Sequence, residues 1–280
     1  MDQRIIRLVE YFLPMLVMAG DYAHSIQKHI QPASSKDGEN PWTQALTDAD
    51  LMVQHMLEVA TLAGWSDIGF FGEESEQSAN TKYFPTDAET IIQLDPINGT
   101  FLYQHQRAGW DIVMSICHQN QLEAALSYMP VQGLFYLATR ETGALKGNRS
   151  SLSLQEMQPL KTRADSRRCL TYRADDIKKK LGESFDCFDI VKDDDPKRDF
   201  QNLNDLFTGK LAAFASRTDD LLDWGATAFI VKRAGGCVSY LDGTAFDLFD
   251  DFDPRAAADI LVSATPEIHA EILTLLKHSS

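Results

Sequence analysis

"WDIVMSICHQNQLEAALSYMPVQGLFYLATRETGAL", residues 110–145, decides the architecture of this chain. It holds three strand-like apolar runs, with polar turns at His118–Gln121 and Pro130–Gly133. Runs joined by connections this short pair antiparallel, because a parallel crossover needs a dozen residues or more. The stretch therefore predicts a meander. Just upstream, "DIGFFGEES" (67–75) and "ETIIQLDP" (89–96) each read as one more short strand that ends on acidic residues.

Before the strands come two helical patterns. Ile5, Leu8, Phe12 and Leu16 recur at helical spacing within residues 2–30, where Pro14 predicts a kink. The second helix is expected over Thr47–Ala63, with Thr47 and Asp48 as candidate N-caps, after the polar loop "PASSKDGENPW". From about Leu152 strands and helices alternate. "SRRCLTYRADDIKKKLG" reads as strand then helix, "FDCFDIV" as a strand, and "TGKLAAFAS" and "GGCVSYLDG" as strands around the helix "DLLDWGATAFIVKRAG". "DILVSATP" and "EIHAEILTLLKHS" close the chain as strand and helix. This order predicts a layered α/β (α+β) fold in two lobes. Residues 1–150 form an N-terminal α+β lobe with an antiparallel sheet, residues 151–280 a C-terminal α/β lobe with a mixed sheet, and the site is expected between them.

Composition narrows the function. With 44% hydrophobic and 10% aromatic residues the chain can build a substantial core. Its net charge of −15, from 41 acidic and 26 basic residues, argues against a nucleic-acid partner. Arg4, Arg7, Glu10 and Asp21 interrupt the apolar N-terminal stretch, which argues against a membrane span. The four cysteines (Cys117, Cys169, Cys187, Cys237) show no metal-binding spacing, and are expected to be reduced, buried residues of a cytoplasmic protein.

Acidic residues gather at strand ends and helix starts: Glu73 and Glu74, Asp95, Asp219 and Asp220 with Asp223, and Asp50 near the start of the second helix. Singly, each has an ordinary explanation. Paired glutamates are usually solvated, Asp-Pro often ends a strand, and Asp223 can serve a helix N-terminus. Together their similar placement suggests a cation site, since converging carboxylates repel unless a cation neutralises them. Oxygen donors alone select Mg²⁺ or Mn²⁺ over zinc. Gly99 and Thr100 would expose main-chain N–H groups able to hold a phosphate. The combination predicts metal-assisted phosphoryl transfer to water.

"GEES" (72–75), "LDPINGT" (94–100) and "DWGATAFIVKRAGG" (223–236), in that order, resemble the signature of the inositol monophosphatase family. That family's motifs are DP[IL]DGT and WDxAAGxxIVxEAGG, and "GALKGN" and "AFDL" have counterparts in it as well. The resemblance implies an α-β-α-β-α sandwich of the sugar-phosphatase type, shared with fructose-1,6-bisphosphatase. It implies a homodimer, a small phosphorylated metabolite as substrate, and two or three Mg²⁺ ions with Mn²⁺ as an alternative. Glu73, Asp95 and the Ile97 carbonyl would hold the first ion, and Asp95, Asn98 and Asp223 the second. Asp50, matched through "TDADLMVQHML" to the family's TxxDxxxE helix, would act with Thr100 on the attacking water, and Glu74 would support that arrangement. Gly99 and Thr100 would bind the phosphate.

The chain departs from the family at informative places. Asn98 stands where the family has an aspartate, which predicts a weaker second ion. Leu222 replaces Trp, Gly225 replaces Ala and Arg233 replaces Glu. Ser216 falls where several relatives carry an acid that touches the substrate. The leading expectation is a phosphatase of a phosphorylated polyol or sugar. Two alternatives accompany it: a weakened relative that binds a phosphorylated ligand or a protein partner, and a phosphatase of 3′-phosphoadenosine 5′-phosphate or fructose 1,6-bisphosphate.

Overall fold

The computed structural model describes residues 3–29, 48–195, 197–198, 200 and 202–278. The expected cap at Thr47 and the loop before it lie outside these residues. The chain divides into two compact units, Met1–Pro159 and Leu160–Ser280.

The first unit contains α1 (Gln3–Gln27), α2 (Asp48–Gly64), β1 (Gly69–Gly72), β2 (Thr90–Asn98), α3 (Thr100–Gln104), β3 (Asp111–His118), β4 (Gln121–Met129), β5 (Leu134–Thr139), β6 (Gly143–Asn148) and β7 (Gln158–Pro159). The seven strands form one sheet in chain order. Every neighbouring pair is antiparallel except β1 and β2, which run parallel. The meander is present and runs two strands further than expected, through β6 and β7. Pro14 lies inside α1. Leu8, Phe12, Leu13 and Leu16 of α1 and Val53 and Leu57 of α2 are buried in one cluster with Leu94, Ile112, Met114, Leu126 and Tyr128 of the sheet. The helical stripe read from the sequence is thus the face that meets the sheet.

The second unit contains β8 (Arg168–Tyr172), α4 (Asp175–Leu181), β9 (Asp186–Asp189), α5 (Asp205–Thr208), β10 (Ala213–Thr218), α6 (Leu222–Arg233), β11 (Cys237–Tyr240), β12 (Ala258–Ser263) and α7 (Pro266–His278). Its sheet has the order β11-β12-β10-β8-β9. β8, β9 and β10 run parallel while β12 is antiparallel to both of its neighbours, so the sheet is mixed, as expected. Alternation separates its two faces. Ala213 and Ala215 pack with Ile177 and Leu181 of α4 and Ile272 of α7. Phe214 points the other way, edge-on to Trp224 of α6 at 5.3 Å, and Tyr172 stacks on the same Trp224 at 5.5 Å.

Two cysteines depart from expectation. Cys117 and Cys169 are buried, whereas Cys187 and Cys237 are only partly so. All four are free. Among the described residues no helix is long and apolar enough to cross a membrane.

The structure explains one departure from the family motif. A Cβ at Gly225 would lie 2.7 Å from the Phe252 ring. Glycine to alanine in a helix normally gains about 1 kcal/mol. Here Gly225→Ala is expected to lose about 1–3 kcal/mol through overpacking, read as a lowered unfolding midpoint in urea. Phe252→Leu in the same chain should recover part of the loss. A stabilised Gly225→Ala would refute the explanation.

His269 on α7 sets a pH dependence. Its ring is buried, with Nδ1 3.1 Å from Ser263 Oγ and Nε2 3.0 Å from Ser239 Oγ. Burial holds its pKa below the usual 6.5. The folded value lies below the unfolded one, so this stabilisation is present above pH 6.5 and is lost as pH falls through the folded value. His269→Gln should flatten that part of the acid-induced fall in melting temperature. An unchanged slope would assign it to other groups.

Candidate active site

The site in the first unit is built where β1 and β2 end together. Their parallel register sets Gly72 beside Leu94, and the Glu73 N–H donates to the Leu94 carbonyl at 2.9 Å. Glu73 and Asp95 therefore leave adjacent strands at the same level. In a regular strand Asp95 and Asn98, three residues apart, would point to opposite faces. They do not. Asp95 pairs with Val113 and Asn98 with Asp111, so three steps along β2 match two along β3. The irregularity between them is a β-bulge, and Pro96 suits it because it has no N–H for the ladder. Directly opposed residues share a face, so the bulge brings Asp95, Asn98 and Asp111 onto one side. Leu94 and Ile97, also three apart, both enter the core on the other.

The turn after β2 is equally specific. Asp95 Oδ1 accepts the Ile97 N–H at 3.0 Å, folding the chain back on its own carboxylate. Gly99 has φ 87° and ψ 41° at the start of α3. A Cβ there would meet Leu102 at 3.5 Å, which is ordinary contact. The left-handed backbone, rather than space, is what calls for glycine. The Thr100 hydroxyl lies 2.9 Å from the Ile97 carbonyl and 3.3 Å from Asp50 Oδ1. It has a single proton and two acceptors to offer it to.

Asp50 is fully buried in the first turn of α2, and a polar stripe continues from it along the helix through Gln54 and Glu58. Gln54 Oε1 accepts the Glu74 N–H at 3.0 Å, and Gln54 Nε2 donates to Glu58 at 2.9 Å. Glu58 also accepts from Ser78 Oγ at 2.7 Å and from Asn80 Nδ2 at 2.8 Å. This network anchors the segment that carries Glu73 and Glu74. The sequence reading missed Gln54 and Glu58, although polar residues at i, i+4 and i+8 on an otherwise apolar helix were a visible signal. Gln54 occupies the place of the glutamate in the family's TxxDxxxE pattern. Burial first, and then the neighbouring Glu73 carboxylate, push Glu74 up to about 7.

Asp111 was missed as well. It is 2% exposed, accepts from Asn98 Nδ2 at 3.0 Å, and accepts from the Ser127 hydroxyl.

Two expected residues belong to the second unit. Asp223 sits in the first turn of α6, where Asp220 Oδ1 accepts the Leu222 N–H at 3.3 Å. Ser216 is fully buried on β10, across from Tyr172 and Ile260, and its hydroxyl has no hydrogen-bond partner among the described residues.

Among the described residues no three His, Cys, Asp or Glu side chains converge into a metal site by themselves. The oxygens carried by the ends of β1 and β2 are of another kind: the carboxylates of Glu73 and Asp95, the amide oxygen of Asn98 and the main-chain carbonyl of Ile97. All are hard oxygens, which suit Mg²⁺, Mn²⁺ or Ca²⁺ and not a thiophilic metal.

The family model of the inositol monophosphatase family matches residues 16–280. The chain belongs to that family, and its class is that of a metal-dependent phosphatase. It is 25% identical over 218 residues, 72% of this chain and 73% of the other, to a putative Nus factor SuhB of Neisseria meningitidis. Its fold is similar to that of an inositol monophosphatase of Thermotoga maritima, with a TM-score of 0.73 at 15% identity over 97% of each chain. An inositol monophosphatase/NADP phosphatase solved with NADP and Ca²⁺ matches with a TM-score of 0.69 at 13% identity, over all of this chain and 97% of the other.

Proposed function

We propose that this protein is a Mg²⁺-dependent phosphomonoesterase that hydrolyses a small phosphorylated polyol, sugar or nucleotide. The observation that carries the reading is the bulge in β2, which turns Asp95 and Asn98 to one face beside Glu73 and leads into the Gly99-Thr100 turn. Glu73, Asp95, Asn98 and the Ile97 carbonyl would hold divalent cation. Asp223 joins them in this proposal on the family resemblance alone. A bound cation would neutralise phosphate charge and make water easier to deprotonate.

The chain's own groups do the rest. The Gly99 and Thr100 N–H groups orient the phosphate. Thr100 Oγ1 accepts a hydrogen bond from the attacking water while its own proton faces Asp50. The buried Asp50 carboxylate draws that proton, which makes the pair a relay for general-base assistance. Glu74 keeps the Glu73 segment in place through Gln54. Ser216, like Asp223, enters the proposal on the family resemblance alone, as a contact to the alcohol part of the substrate. The NADP and Ca²⁺ bound to the structural neighbour support the inclusion of nucleotides and of a hard cation.

The test is phosphate release with and without Mg²⁺ from inositol 1-phosphate, fructose 1,6-bisphosphate, 3′-phosphoadenosine 5′-phosphate and NADP. Release that chelation stops is expected from at least one of them. A second reading, a weakened relative whose task is binding, draws on Asn98 and Gln54, both amides where the family carries acids. It predicts cation binding with no release from any substrate. The homodimer implied by the resemblance remains part of the proposal, and light scattering at a monomer mass would remove it.

A further inference from the structure

Asn98 raises a question that its neighbours answer. An amide brings no charge to a cation, and it has two nearly equal ends, only one of which can ligate. Something must decide which end faces the ion. On β3 the residue directly across from Asn98 is Asp111, and the Asp111 carboxylate accepts the Asn98 Nδ2–H at 3.0 Å. A carboxylate can only accept, so the nitrogen end must face it. Asp111 is in turn held by the Ser127 hydroxyl. Ser127, on β4, pairs with Val113 of β3, and so shares the face of Asp111 and Asp95.

We propose that Asp111 is a positioning residue: held by Ser127, it binds the nitrogen end of Asn98 and leaves Oδ1, the other branch of the planar amide, for the cation. The inference rests on the phosphatase reading of this site and explains why an amide is tolerated there. The negative charge missing from position 98 stands one residue away across the ladder, and reaches the cation through the polarised amide. Outer partners of metal ligands act in this way, by fixing orientation and raising donor strength. It also reverses a simple expectation. Asn98→Asp, which restores the family motif, would set two carboxylates against each other at hydrogen-bonding distance and is expected to harm the metal-free protein.

The experiment measures Mn²⁺ affinity by electron paramagnetic resonance and melting in EDTA for wild type, Asp111→Asn, Asn98→Asp and the exchange Asn98→Asp/Asp111→Asn. Asp111→Asn, nearly isosteric, should bind Mn²⁺ about 10- to 100-fold more weakly while melting in EDTA close to wild type. Its kcat at saturating Mg²⁺ should change far less than the Mg²⁺ concentration needed for half-activation. Asn98→Asp should melt lower in EDTA, and the exchange should recover both the melting temperature and tight Mn²⁺ binding, because an amide then faces a carboxylate again. Wild-type Mn²⁺ affinity in Asp111→Asn would overturn the proposal and leave the phosphatase reading standing. Failure of the wild-type protein itself to bind Mn²⁺ would overturn both, and is told apart by that alone.

Discussion

Asp95→Asn is expected to reduce Mg²⁺-dependent phosphate release by about three orders of magnitude or more. Loss of a cation-holding carboxylate removes several kcal/mol of charge stabilisation, and each 1.36 kcal/mol is about tenfold in rate. Asp95 is 6% exposed, and its Oδ1 accepts the Ile97 N–H. An amide oxygen can keep that hydrogen bond, so the turn should survive in the variant. Circular dichroism and melting in EDTA should accordingly stay close to wild type, and Mn²⁺ affinity should fall together with the rate. A variant that still releases phosphate at the wild-type rate would remove Asp95 from the chemistry and the bulge from the argument.

Thr100→Val should have the second largest effect, and a different signature. The substitution keeps the side-chain volume and the main-chain N–H but deletes the hydroxyl that lies between Ile97 and Asp50. If the Thr100–Asp50 pair moves the water proton, kcat falls by about 10²- to 10⁴-fold, the usual worth of general-base assistance. KM and Mn²⁺ affinity should hardly change, because neither the cation donors nor the phosphate-binding N–H groups are altered. Loss of Mn²⁺ affinity in place of kcat would make Thr100 a support for the cation site and leave Asp50 without its relay.

Much of this was legible in the sequence because periodicity and punctuation fix it locally. The apolar stripe of α1, the meander from Trp110 onward and the strand-to-turn passage at Asp95–Thr100 are all set by neighbours within ten residues. The parts that were not legible depend on pairings between distant residues. Nothing in "DIGFFGEES" says that β1 runs parallel to β2, since a four-residue apolar strand pairs in either direction. The bulge was hidden for a related reason. Asp95 and Asn98 look three apart, and only the register against β3 shows that they share a face. Asp111 could not be found without that register, because twelve residues and a short helix separate it from Asn98 in the chain. The buried Ser216 is a further instance. The stretch "TGKLAAFAS" (208–216) reads as a strand, but which side of it meets Trp224 is decided by α6.

The claim on which everything else depends is that the oxygens around the β2 bulge hold a divalent cation, with the Asn98 amide turned oxygen-first. Crystals grown with Mn²⁺ test it most directly, through the anomalous signal of the ion. A Mn²⁺ ion is expected about 2.1 Å from carboxylate oxygens of Glu73 and Asp95, with Asn98 Oδ1 among its donors and Nδ2 still on Asp111. A Mn²⁺ ion bound elsewhere, with these side chains making no contact to it, would show that the β2 bulge is not a cation site.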